Sequence, residues 1–141
     1  MNINPKIWGR SVWDFFYYVA LSYPKNPTPS DKAKFKQFYK IAGSIVPCQK
    51  CQINFMTHIQ ELPIENYLNS SYDLFEWVTN MDNKVRSLNN AKQLNVSETM
   101  EYYMNNIQEY NNGINFTNKQ TILISLGIGL LLLFLIKKIK L

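Results

Sequence analysis

Apolar residues recur along this chain at intervals of three and four, and no stretch keeps the alternation that a half-buried strand requires. A first helix is expected from Trp8 to Ser22, with Trp13, Phe16, Tyr17 and Ala20 along one face and Tyr23-Pro24 ending it. Pro27 and Pro29 hold the next loop extended, and Thr28-Pro29-Ser30-Asp31 reads as a helix start with a hydroxyl cap, a first-turn proline and an early acid. The second helix is expected over Pro29 to Val46. It buries Phe35, Phe38, Ala42, Ile45 and Val46, and Lys32, Lys34, Lys36 and Lys40 form its solvated face. A third begins at Cys48 and stops near Leu62-Pro63, with Ile53, Phe55, Met56 and Ile59 as its apolar run. Ser70-x-x-Asp73 opens a fourth as a variant of the capping box, and its stripe is the cleanest in the chain: Leu74, Trp77, Val78, Met81, Val85 and Leu88. After an asparagine-rich loop, Ser97-Glu98 is expected to cap a fifth helix with Met100, Tyr103, Met104 and Ile107 inward. The fold class is therefore all-α, a four-helix bundle with a short fifth helix. Its aromatic residues suffice to build a core without disulfide staples.

One segment does not fit a bundle. Thr121 to Ile136 carries no charge and is apolar on every face, so a domain this small has nowhere to enclose it. As a helix it reaches ~24 Å against a hydrocarbon core of ~30 Å, a gap that snorkelling lysines and local thinning can close. We read it as a single C-terminal transmembrane helix. The organisation is then a helical domain over 1–112 with its core at about 5–95, a polar linker at 113–120, the span at 121–136 and a basic tail at 137–141.

The span changes the meaning of the charge. The formal net charge is +5, from 15 basic and 10 acidic residues. Lys119, Lys137, Lys138 and Lys140 flank the span and no acid does, which leaves eleven bases against ten acids in residues 1–118. A nearly neutral domain lacks the concentrated basic face that nucleic-acid binding needs. The terminal lysines suit lipid headgroups instead. The positive-inside rule keeps that tail cytoplasmic, whereas insertion as a tail anchor keeps the large domain there, so the orientation stays open.

Pro47-Cys48-Gln49-Lys50-Cys51 holds the only two cysteines in the chain. One helical turn brings sulfurs at this spacing within bridging reach, and a helix start stabilises a thiolate through the positive end of its dipole. Pro47 suits such a start. Redox chemistry leads, with rivals beside it. A structural zinc site needs four ligands, and beyond the cysteines the chain offers only His58. Two inert, buried cysteines are a second alternative. A thioredoxin-like site needs a preceding strand inside a βαβ unit, and the pattern before Pro47 is helical.

The signatures together resemble the FAD-linked sulfhydryl oxidases of the Erv/ALR family. The matching pieces are Trp8-Gly9-Arg10-Ser11-Val12-Trp13, Val19-Ala20-Leu21-Ser22-Tyr23-Pro24, the Pro47 to Cys51 motif, and Trp77 followed by Asn83-Lys84-Val85-Arg86. The resemblance implies a four-helix bundle with a short fifth helix, usually a homodimer, with FAD as cofactor. It implies that a dithiol substrate attacks Cys48, that Cys51 is released as a thiolate beside the flavin, and that oxygen takes the electrons and becomes hydrogen peroxide. The implied flavin contacts are Trp8, Gly9, Arg10, Ser11, Trp13, Tyr17, Trp77, Asp82, Asn83, Val85 and Arg86, with no metal.

Departures accompany the likeness. The family usually has histidine where this chain has Tyr17, and a His-Asn pair where it has Asp82-Asn83. Arg86 replaces the second asparagine of the usual H-N-x-V-N. Some viral members also lack these histidines, and the asparagine- and lysine-rich composition resembles that of an AT-rich genome. A large DNA virus is the source this suggests, with a viral assembly membrane or the virion as the location. Many members carry further cysteines as a shuttle arm or staples, which this chain lacks. It is therefore expected to dimerise without intersubunit disulfides and to receive electrons from a separate dithiol protein such as a thioredoxin-like carrier. The rival reading is a flavin-less, degenerate member acting as a tail-anchored helical adaptor.

Overall fold

The computed structural model describes residues 2–114, and all regular structure among them is helical. The helices are α1 (Pro5–Leu21), α2 (Pro29–Ile45), α3 (Gln49–Glu61), a 3-10 turn (Ile64–Tyr67), α4 (Ser71–Leu88) and α5 (residues 96–114). A compact unit ends at Tyr103, and Met104 opens a second. The bundle and its cleft belong to the first of these units. Among the described residues no helix is long and apolar enough to cross a membrane. The expected span at 121–136, the basic tail and most of the linker lie outside the described residues.

Caps set the helix starts, and several differ from expectation. α1 begins a turn early, because Asn4 accepts from the Lys6 N–H at 3.0 Å and Pro5 takes the first helical position. α2 starts as expected, with a complete capping box in which Thr28 and Asp31 satisfy each other's backbone N–H. At α4 the forward half of such a box is present, Ser70 accepting from the Asp73 N–H at 3.1 Å. α5 is capped by Asn95, which accepts from the Glu98 N–H at 3.1 Å, so Ser97 lies inside the helix and is not its cap. Nor is that helix short, since it continues through residue 114, past the start of the expected linker.

α4 forms the centre of the bundle and packs chiefly along α1. Leu74, Phe75, Trp77, Val78 and Met81 are buried there against Phe16, Tyr17 and Ala20 of α1, Tyr39 of α2 and Phe55 of α3. Phe16 meets Trp13, Phe38 and Tyr39 edge-on, the arrangement that aromatic quadrupoles favour. Buried aromatics place their polar atoms on main-chain carbonyls. Tyr39 donates to Phe16 O at 2.9 Å, Tyr23 to Leu68 O at 3.0 Å, and Trp77 to Leu62 O at 2.9 Å.

Phe35, Phe38 and Ala42 of α2 pack against the core as expected, but the face extends further round the helix than expected and leaves out Ile45. Tyr39 and Gly43 are its buried residues, while Ile45 is 69% exposed. Gly43 explains this: a Cβ there would run into the Phe55 ring, so the absence of a side chain is what lets α3 press onto the α2 backbone. Ile45, two residues on, is about 200° round the helix from that contact. Leu88 is 58% exposed because the end of α4 and the residues through Gln93 all face solvent. Met104, expected inward, is exposed as well.

Candidate active site

Cys48 and Cys51 are bonded to each other at the head of α3, their Cα atoms 5.1 Å apart. Cys48 is the N-cap residue, and its sulfur accepts from the Cys51 N–H at 3.2 Å. Pro47 therefore precedes the cap and does not occupy the first helical turn, where the sequence had suggested it. Both sulfurs sit at the positive end of α3 in half-buried positions, which combines an attackable sulfur with donors for a leaving thiolate. His58 lies near Glu61, with 3.3 Å between Nδ1 and Oε2. Among the described residues no group of three or more His, Cys, Asp or Glu side chains could hold a metal.

A cleft of about 640 Å³ opens between α1, α4, the loop after α4 and the first turns of α5. Trp13 and Tyr17 from α1 and Tyr102 and Tyr103 from α5 are among its lining residues. Tyr17 and Tyr103 stack, ring centroids 4.6 Å apart and 27° between planes. Arg10, Arg86 and Lys92 supply positive charge, and Asp82 and Glu98 negative.

Hydrogen bonds fix this lining. The Tyr17 hydroxyl donates to Asp82 Oδ2 at 3.2 Å, and Arg86 Nε donates to Asp82 Oδ1 at 3.2 Å. Arg86 Nη1 also holds the Lys92 carbonyl at 3.2 Å. Asn83 brackets Leu94 by donating to its carbonyl (3.0 Å) and accepting from its N–H (2.7 Å), which shapes the loop wall. On the other side Tyr103 donates to Asp14 Oδ1 at 2.5 Å, and Arg10 Nε donates to both Asp14 oxygens at 2.9 and 3.0 Å. Burial pushes the Asp82 carboxyl above the usual aspartate range, against the opposing pull of Arg86 and the Tyr17 hydroxyl. Burial likewise pushes the Tyr17 and Tyr103 phenols up, Asp82 adding to the first and Asp14 to the second, so both remain protonated donors.

The chemistry of this lining suits a flavin dinucleotide. Trp13 and the exposed Tyr102 offer aromatic surface, while Tyr17 and Tyr103 are buried against each other, and the Arg10 and Arg86 guanidiniums keep donors beyond those spent on Asp14 and Asp82, as a pyrophosphate requires. Asp82 repels phosphate and suits a hydroxyl or an amine.

Of the cofactor contacts expected from sequence, Arg10, Trp13, Tyr17, Asp82, Val85 and Arg86 line this cleft. Trp8, Gly9, Ser11, Trp77 and Asn83 do not. Trp77 is a core residue set edge-on to Tyr39, Trp8 gives its indole N–H to Ile3 O at 3.1 Å, and Ser11 is exposed. Asn83 acts one step back, through Leu94. Sequence reasoning missed Lys92, Asn95, Thr99 and Tyr102 as lining residues, and read Tyr103 as core only. The adjacent Tyr102-Tyr103 pair was the available signal, since neighbours on a helix face different sides and one ring can pack while the other lines a cleft.

Comparison with known proteins supplies the family. A match to the Erv1 / Alr family covers residues 10–105. A protein of Acanthamoeba polyphaga mimivirus, named "Probable FAD-linked sulfhydryl oxidase R368", is 34% identical over 100 residues, 70% of either chain. The mitochondrial FAD-linked sulfhydryl oxidase ERV1 of Saccharomyces cerevisiae is 38% identical over 77 residues, 55% of this chain and 40% of that one. The crystal structure of the FAD binding domain of Erv1 from the same yeast superposes with a TM-score of 0.64 at 30% identity, covering 68% of this chain and 90% of that one. The chain belongs to the Erv1 / Alr family.

Proposed function

We propose that this protein is an FAD-dependent thiol oxidase that makes disulfides in a protein dithiol substrate and gives hydrogen peroxide. The disulfide at the head of α3, in a chain of this family, is the observation that carries the reading. A substrate thiolate attacks Cys48 Sγ, the Cys48–Cys51 bond breaks, and Cys51 leaves as a thiolate held near the first-turn N–H groups. The second substrate thiolate then attacks the substrate sulfur of that mixed disulfide and releases Cys48. The substrate leaves oxidised and the pair is left as a dithiol. Bound FAD supplies the acceptor chemistry that returns this pair to the disulfide and delivers two electrons to oxygen. Trp13 and Tyr102 would hold its rings, Arg10 and Arg86 its pyrophosphate, and Asp82 a hydroxyl or amine.

With both cysteines in one disulfide, the chain has no further thiol for an internal relay, which supports a separate dithiol carrier of thioredoxin-like or other fold. The same fact supports a homodimer without intersubunit disulfides. Exposed Ile7 and Phe15 on α1 and Ile41 and Ile45 on α2 are apolar surface suited to that contact. The apolar run at 121–136 supports attachment to a membrane, and the viral relative supports a viral assembly membrane or virion.

The visible absorption spectrum of the purified full chain, before and after a dithiol is added in air, tests the reading. A flavin band that bleaches while oxygen is consumed is expected. A colourless protein that cannot be reconstituted with FAD would replace the oxidase with the tail-anchored adaptor.

A further inference from the structure

The segment before α1 is tied to the redox loop at both peptide groups that flank Cys48. Ile3 N–H donates to the Pro47 carbonyl at 2.7 Å, on one side of Cys48. Gln49 N–H, on the other, donates to the Asn2 side-chain oxygen at 2.9 Å. The strap is anchored in turn to α1, since Trp8 Nε1 donates to the Ile3 carbonyl at 3.1 Å and Asn4 caps the helix. Behind Cys48 the loop is braced by Gln52, whose side-chain amide donates to Val46 O at 2.7 Å.

Gln49 opens α3, so its N–H is among the donors that make up the positive end of that helix. Cys48 Sγ uses another, the Cys51 N–H. Asn2 thus occupies one of the donors whose partial charge would otherwise act on the Cys48 sulfur when the pair is reduced. We propose that Asn2, carried on the Asn2–Ile3 strap, is a positioning residue that sets the acidity of the Cys48 thiol by dividing the positive end of α3 between its own amide oxygen and the sulfur. The tuning matters for exchange, because the acidity of a thiol governs its reactivity and its quality as a leaving group. The inference deepens the oxidase reading and rests on it for its biological meaning, though not for its test.

The native charges around the loop are the same in every variant of the test below, so they cancel in the comparison. The final turn of α2, residues 41–45, carries none. Lys6 in the first turn of α1 and Lys50 next to the pair make no side-chain hydrogen bond or ion pair among the described residues. Trp8, assigned to the flavin by resemblance, has a different task here, holding the strap.

The test uses the full chain, tagged only at its C-terminus, in a Cys51→Ser background where Cys48 is the sole thiol. Its pKa is read from the pH dependence of iodoacetamide alkylation. Asn2→Ala frees the Gln49 N–H and should lower that pKa by about half a unit, while Asn2→Asp keeps an acceptor but adds a negative charge and should raise it by at least as much. Ile3→Pro removes the second tie and should move the value in the direction of Asn2→Ala. Opposite shifts for alanine and aspartate establish the role, because simple loosening of the loop would send both the same way. Shifts of the same sign, no shift in either, or a shift in Ile3→Pro alone would overturn it. Alkylation needs neither flavin nor turnover, so a failed oxidase assay leaves this result readable.

Discussion

Tyr17 and Asp82 meet across the contact of α1 with α4, the phenol donating to Oδ2 at 3.2 Å while Arg86 holds Oδ1. These are two positions at which the resemblance implied histidine. In this chain the buried Asp82 carboxyl has a phenol and a guanidinium as partners. Burial still prevails over both partners and keeps the carboxyl's proton affinity above the ordinary aspartate value.

That direction fixes a pH dependence. A carboxyl whose folded-state pKa is raised stabilises the fold fully below the unfolded value, ~3.9, and loses that contribution as pH rises through the raised value. Asp82→Asn carries no such term. Thermal melts of both proteins between pH 4 and 7.5 should therefore show the wild type losing ground to the variant as pH increases. Asp31, Glu61 and Glu65, whose carboxyls are held low by hydrogen bonds to Thr28, Lys84 and Lys36 respectively, cancel in the comparison. Parallel curves would remove Asp82 as a source of pH sensitivity.

Gly43→Ala should destabilise the domain by about 1–3 kcal/mol, because the added methyl meets the Phe55 ring in a filled core. Urea denaturation would measure it. Phe55→Leu in the same chain should recover part of the loss, as expected for two residues that share one contact. Full additivity would mean that the helices move apart instead.

Cys51→Ser should abolish turnover while leaving flavin bound, and Cys48→Ser should abolish turnover with dithiol substrates. Oxygen consumption and the visible spectrum separate the two properties. Full activity in either variant would sink the oxidase mechanism.

Arg86→Gln should weaken FAD binding roughly tenfold, the loss expected when a charged hydrogen bond to a phosphate is removed. Quenching of flavin fluorescence on titration gives the affinity. An unchanged value would confine Arg86 to its bonds with Asp82 and the Lys92 carbonyl.

Removing residues 119–141 should release the protein from membranes with its oxidase activity intact, as read by fractionation and oxygen uptake. Loss of activity on truncation would give that segment a part in the chemistry beyond attachment.

Sequence alone determined the helical class, most helix ends and the closeness of Cys48 to Cys51. Each rests on short-range physics: periodicity over a few turns, a capping side chain three residues from its donor, two sulfurs one turn apart. Thr28, Ser70 and Cys48 could be placed at helix starts for that reason. The extension of the α2 face to Gly43 was not legible, because it depends on a glycine in one helix meeting a phenylalanine from another. The cleft was legible in part, since the resemblance named Arg10, Trp13, Tyr17, Asp82, Val85 and Arg86 but neither their partners nor the wall opposite. Tertiary structure decided those, pairing Tyr17 with Asp82 across 65 positions and Asp14 with Tyr103 across 89. It likewise moved Trp8 and Trp77 out of the cleft, one to the strap and one to the core. A side chain's periodicity states that it is covered, but what covers it is settled only when distant helices pack.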